Sequence, residues 1–232
     1  KIKNCVYYYY RIKHQVLMRK EDHMNQAIGW AGAGTGFTFL MTALGASVVF
    51  ILRKDMGKNI QRAFLGFAAG VMMAASVWSL LLPAIEETEE MGGIGWVPAA
   101  GGFILGGIFL YMLDFLMPHL HLGEKQPEGV KTSFHRTTLL VLAVTLHNIP
   151  EGMAVGLAFA MAAQHPEDSA LYASAFALAL GIGIQNFPEG AAISLPLRQE
   201  GMSRGRAFML GALSGLVELI FGIGITLIAA QI

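Results

Sequence analysis

Two related phrases in this chain bring together side chains able to do chemistry. His147-Asn148-Ile149-Pro150-Glu151-Gly152 is echoed 38 positions later by Gln185-Asn186-Phe187-Pro188-Glu189-Gly190, and each copy lies inside a long apolar run. Imidazole, amide and carboxylate are donor types that bind divalent cations. Ionisable groups at membrane depth are costly, which makes them functional candidates. On a helix, residues four apart share a face, so His147 points with Glu151 and Gln185 with Glu189. Asn148 and Asn186 sit one position round, about 100° away. Each copy is thus a wedge of oxygen and nitrogen donors. Pro150 and Pro188 cannot donate a backbone hydrogen bond and push the preceding turn open, so both helices are expected to bend or break there. Gly152 and Gly190 allow close approach of another backbone or an ion. Broken helices at membrane depth line polar cavities and mark binding sites in transporters.

Glu218 is a third acid in an apolar setting, between Val217 and Leu219, with no basic neighbour. Asp114 is the other acid that falls within an apolar stretch, and no Lys or Arg accompanies them there. Buried anions without basic partners need another cation, or a proton. Cys5 is the sole cysteine, so a thiolate cluster is excluded. Imidazole and carboxylate suit Zn²⁺, with Cd²⁺, Fe²⁺ or Mn²⁺ as alternatives, better than soft Cu(I). The donors suffice for one ion, or for two sharing carboxylates. The plainer reading is that the prolines kink the helices, the polar groups serve as interhelical glue, and Glu218 is a protonated structural acid. A non-transporting metal sensor, or a proton-coupled carrier using the same carboxylates, is the alternative function. The hydrolytic phrase His-Glu-x-x-His does not occur, so an enzyme is not expected.

These residues need elements that cross a bilayer. Of 232 residues, 54% are apolar and 14% charged, against about 25% charged in soluble domains. Six stretches reach the roughly 20 residues a span needs: 31–52, 63–85, 94–117, 138–163, 171–197 and 207–232. The expected fold is an all-α polytopic transmembrane bundle. His147 and Gln185 then fall near the bilayer midplane, and the short acidic loop 164–170 makes the fourth and fifth spans antiparallel neighbours. Lys and Arg crowd the odd loops (Arg53, Lys54, Lys58, Arg62; Lys125, Lys131, Arg136; Arg198, Arg204, Arg206). Glu86, Glu87, Glu89, Glu90, Glu167 and Asp168 occupy the even ones. The odd loops, including that at about 118–137, are therefore expected to be cytoplasmic and the N-terminus external. The head, 1–30, reads as a disordered or surface segment outside the membrane despite its six basic residues. It lacks the apolar core of a cleavable signal peptide.

With these motifs, and with Gly66-Phe-Ala-Ala-Gly-Val-Met-Met-Ala-Ala-Ser76 in the second span, the chain resembles the ZIP (Zrt/Irt-like) divalent metal transporters, most of all their bacterial GufA-type branch. The resemblance covers roughly 36–232. It implies a zinc carrier of the bacterial inner membrane that moves metal toward the cytoplasm by an elevator-like or rocking motion, often as a homodimer. It also implies a core of eight spans, of which six are read here. By position, His147, Glu151, Gln185 and Glu189 would form one metal site, with Met72 as a nearby thioether. Asn148, Glu151, Asn186, Glu189 and Glu218 would form a second, with Glu151 and Glu189 bridging. Some relatives carry Asp at the position of Asn186, so the second site here has one anion fewer. His119 and His121, after Asp114, stand as candidates for catching metal that leaves the pore, and a solvated loop with scattered histidines is the other reading. Glu86, in the external acidic cluster, is a candidate for the entrance, with a solvated helix end as its plainer role.

Overall fold

The computed structural model describes residues 2–51, 58–116 and 136–229. Every regular element among them is helical: α1 Ile2–Ala46, α2 Val48–Ile51, α3 Lys58–Ala75, a π-helical segment Ser76–Leu81, α4 Leu82–Glu90, α5 Trp96–Leu116, α6 Arg136–Gln164, α7 Ser169–Gln199 and α8 Arg204–Ala229. Five stretches are long and apolar enough to cross a membrane: Asp22–Ile51, Ala69–Glu90, Thr137–Gln164, Ser169–Gln199 and Arg204–Ala229. The expected third span is present as the 21-residue helix α5. The chain is an all-α polytopic membrane protein.

Two expectations need correcting. The head is not a disordered segment, because its backbone is helical from Ile2 and runs unbroken into the first span. Its sequence explains this: no Gly or Pro occurs between Ile2 and Ile28, so nothing stops a helix from propagating backwards. Nor do Pro150 and Pro188 break their helices; α6 and α7 continue through both. Each lies mid-helix with long apolar flanks packed on neighbours, and that packing sustains the helix across the missing hydrogen bond.

A proline does leave its mark in the second span. Pro83 has no N–H to give to the carbonyl of Ser79, four residues back. The wider π-helical turn lies just before it, and the hydroxyl of Ser174 on α7 donates to Ser79 O at 3.4 Å. The same helix crosses α7 further on, where a Cβ on Gly181 would lie 3.3 Å from Val71.

The centre of the molecule is a cluster of α1, α6, α7 and α8, with the most extensive contacts between α6 and α8 and between α1 and α7. Glycine makes this closeness achievable. A Cβ on Gly152 would collide with the backbone of Glu218, one on Gly156 with the carbonyl of Gly222, one on Gly190 with the carbonyl of Thr42, and one on Gly45 with that of Phe187. Both motif glycines therefore serve the backbone approach expected of them.

Two apolar clusters bracket the polar middle. Ala31, Val155, Phe159, Ala175, Leu178, Ala179 and Ile182 fill one end. Trp30, Phe159 and Phe176 add edge-on ring contacts there, with centroids 5.1 Å and 5.2 Å apart on Phe176. Val49, Ala191, Ile193, Leu195, Leu197 and Ala207 fill the other end. On α7 the clusters stop at Ile182 and resume at Ala191, about 13 Å apart along the axis at helical rise. Gln185, Asn186 and Glu189 lie inside that window. At the end of α7, Gly201 adopts φ +91°, and the amide of Met202 reaches back to Leu197 O at 3.2 Å, closing the helix.

Candidate metal centre

The two motif copies meet. Gln185 Nε2 donates to Glu151 Oε1 at 2.8 Å, which ties α7 to α6 at the middle of both helices. His147 Nε2 stands 3.8 Å from the same Glu151 oxygen, as their four-residue spacing requires. The Asn148 amide nitrogen donates to Ser214 O on α8 at 3.1 Å. Asn186 Nδ2 lies 2.8 Å and 2.9 Å from the two Glu218 oxygens and 3.4 Å from Thr38 O on α1. Four helices thus contribute to one polar focus.

Burial divides the members. Asn148, Gln185, Asn186 and Glu218 are at most 1% exposed. The Glu151 side chain is 12% exposed and that of His147 is 51% exposed, so the imidazole stands at the open edge. A buried polar atom without a partner costs about 1–3 kcal/mol, so such atoms are rare and call for a cause. Here they concentrate on the motifs: Asn148 Oδ1, Glu151 Oε2, Gln185 Oε1, Asn186 Oδ1 and Glu189 Oε1 are all buried and unpartnered. All five are oxygens with lone pairs to give, and every one belongs to a residue singled out from the sequence. That donor set fits a divalent cation.

Among the described residues, no three His, Cys, Asp or Glu side chains are grouped so as to hold an ion by themselves. The amides explain this. Gln185 hydrogen-bonds to Glu151 and Asn186 to Glu218, so any ion there would also draw on amide oxygens.

The remaining candidates sit elsewhere. Met72 is half-buried on α3, next to the Val71 that meets Gly181, one helical turn before Gln185. Glu86 is exposed on α4, away from the centre, while its neighbour Glu87 pairs with His165 at 3.6 Å. Asp114 falls on the backbone of α5 but its side chain lies outside the described residues, as do His119 and His121 altogether. The sequence reading missed α1. Thr35, Thr38 and Thr42 are fully buried there, and the Thr38 carbonyl accepts from Asn186. Their spacing of three and four was the available signal, passed over because hydroxyls do not ionise.

Comparison with characterised proteins finds relatives among zinc transporters. No family model matches the chain. A zinc transporter, ZIP11, of Homo sapiens is 38% identical over 82% of this chain and 78% of its own length. The zinc transporter GufA of Myxococcus xanthus is 38% identical over 78% of this chain and 70% of its own. The zinc transporter ZupT of Salmonella newport is 32% identical over 79% and 70%. With a helical membrane bundle and the doubled His/Gln-Asn-x-Pro-Glu-Gly phrase at its centre, the chain belongs to the ZIP family.

Proposed function

We propose that this protein carries divalent metal, zinc first among them, across the membrane toward the cytoplasm through the centre formed by α6, α7 and α8. One observation carries the reading: five unpartnered buried oxygens sit on the two motif copies, two of them on carboxylates with no Lys or Arg in the spans around them. A divalent cation satisfies both conditions at once, supplying the missing partner and the missing positive charge. The relatives' names as zinc transporters support zinc as the cargo.

In this reading His147, Glu151, Gln185 and Glu189 form one coordination site. Asn148, Glu151, Asn186, Glu189 and Glu218 form a second, and Met72 is a thioether at the margin. His147, at the exposed edge, is the group a cation meets first. The bundle 31–232 is the transport domain of an inner-membrane protein, with 1–30 outside the bilayer, the N-terminus external and the odd loops cytoplasmic. A homodimer is the proposed assembly. Asp114, His119 and His121 serve metal exit, and Glu86 the entrance.

Zinc uptake into proteoliposomes tests this. Wild-type protein takes up zinc, and Glu151→Ala and Glu189→Ala fall to the level of empty vesicles. Undiminished flux in those variants refutes the assignment. Zinc that binds without crossing favours the sensor, and flux driven by a pH gradient without metal favours the proton carrier.

A further inference from the structure

One histidine at the acidic end of the bundle has no part in the centre. His165 lies in the loop between α6 and α7, where its amide donates to Ala162 O at 3.3 Å and its carbonyl accepts from the Asp168 amide at 3.0 Å, so the backbone that carries it is held. Its Nε2 stands 3.6 Å from Oε1 of Glu87 on α4. That is too long for a hydrogen bond. It is close to the separation of two ligands on one tetrahedral ion, about 3.4 Å for metal–nitrogen and metal–oxygen bonds of about 2.1 Å. The two side chains are 47% and 24% exposed, so an ion and its waters can reach both. Glu90, one turn after Glu87, and Glu167, two residues after His165, are exposed beside them and add negative charge. No Lys or Arg occurs between Arg62 and Lys125 or between Arg136 and Arg198, so neither element brings a cation of its own to this end.

The pair also stands at the end of the line along which the second span meets α7. Eight residues before Glu87, about 12 Å along the helix, Ser79 O is approached by Ser174 Oγ at 3.4 Å. Eight residues before that, Val71 meets Gly181, with Met72 beside it and Gln185 one turn further along α7. We propose that His165 and Glu87 form a capture site for a divalent first-row cation, held by the imidazole nitrogen and the carboxylate oxygen with water completing its shell. The inference rests on the reading that the centre carries metal. Imidazole and carboxylate are the donor types that the centre itself offers, so the same ions are selected at both places. Two protein ligands from separate elements hold an ion loosely, which suits a site that must pass it on.

His165→Ala removes the nitrogen and Glu87→Gln the charge. His165→Lys keeps a positive partner for Glu87 but offers no lone pair to a metal. Side chains this exposed should leave the melting temperature unaltered when replaced. Full-length Glu151→Ala/Glu189→Ala protein in detergent, titrated with zinc in a calorimeter, is expected to retain one weak binding event. Each of the three substitutions, added to it, should abolish that event. In proteoliposomes of otherwise wild-type protein the same substitutions should raise KM for zinc about tenfold, the scale on which a charged mouth concentrates its cation, and leave the maximal rate unchanged. Rescue of KM by His165→Lys means that the two side chains form a plain ion pair, and it overturns the proposal. So does residual binding that is absent, or that survives His165→Ala. Should the double variant fail to fold, the zinc stoichiometry of the wild type is read instead; it should fall by one ion with His165→Ala, and an unchanged stoichiometry is equally fatal. The two readings fail separately. Transport that is abolished by Glu151→Ala but indifferent to His165→Ala removes only the capture site. Zinc bound through His165 and Glu87 by a wild type that carries none across the membrane removes the transport reading and leaves the metal site.

Discussion

At the scale of single residues, the amides shape the centre as much as the acids do. Gln185 and Asn186 each give an N–H to a carboxylate and keep an oxygen unpartnered. Each amide therefore satisfies one acid without adding a charge, and keeps an oxygen free to accept. The motif glycines are equally specific in their demands. At Gly190 an added Cβ meets the Thr42 carbonyl and, at 2.8 Å, the backbone nitrogen of Ala46. Backbone atoms of a buried helix cannot swing aside as a side-chain end can. Gly190→Ala is expected to destabilise the protein by about 1–3 kcal/mol through overpacking. Gly66→Ala, where nothing lies within 4 Å, should leave the melting temperature unchanged or slightly raised. Thermal melting in detergent reads both, and equal behaviour of the two variants contradicts the close approach of α1 and α7.

At the scale of elements, the termini of α7 decide where Gln185 and Glu189 come to lie. Its start is fixed by Asp168, whose Oδ1 accepts from the amides of Ala170 at 2.8 Å and Leu171 at 3.3 Å. Its end is fixed by Gly201 and the Met202–Leu197 bond. Asp168→Ala removes the cap and should cost about 1 kcal/mol of helix stability. Amide hydrogen exchange measured by mass spectrometry should then quicken roughly fivefold in the first turn of α7 and stay unchanged at its middle, where apolar packing holds the helix. Uniform quickening along α7 would mean that the cap governs the whole helix. The π-helical turn at Ser76–Leu81 belongs to the same scale: Pro83 withdraws a donor, and Ser174 from the neighbouring helix approaches the carbonyl thus freed.

At the scale of the whole molecule, α5 stands apart. It packs only on α4 among its described contacts of any extent, and Phe103, Ile104, Leu105, Ile108 and Phe109 are all at least half exposed. Such a surface suits hydrocarbon rather than water. Orientation is the other property at this scale, and the chain supplies its own probe, since Cys5 is its single cysteine. With the N-terminus external, a membrane-impermeant maleimide should label Cys5 in intact cells as fully as in lysed ones. Labelling confined to lysed cells would reverse the proposed topology and, with it, the assignment of acidic loops to the entrance side.

The linear order of residues was sufficient to determine that this is a helical membrane protein, that its two polar phrases lie inside long apolar helices, and that His147 points with Glu151, because helical periodicity and hydropathy are local properties. It also announced the family, since the doubled phrase is seldom met by chance. It did not reveal that α6 and α7 pass through their prolines intact, or that helix reaches back to Ile2, because packing and chain context settle those outcomes. Nor did it show that α1 belongs to the centre. Thr38 and Asn186 are 148 positions apart and meet only because Gly190 and Gly45 let two backbones touch. Which oxygens remain unpartnered is likewise a property of four helices together: a side chain's donors are written in its type, but the partners it finds or lacks depend on what the fold brings beside it.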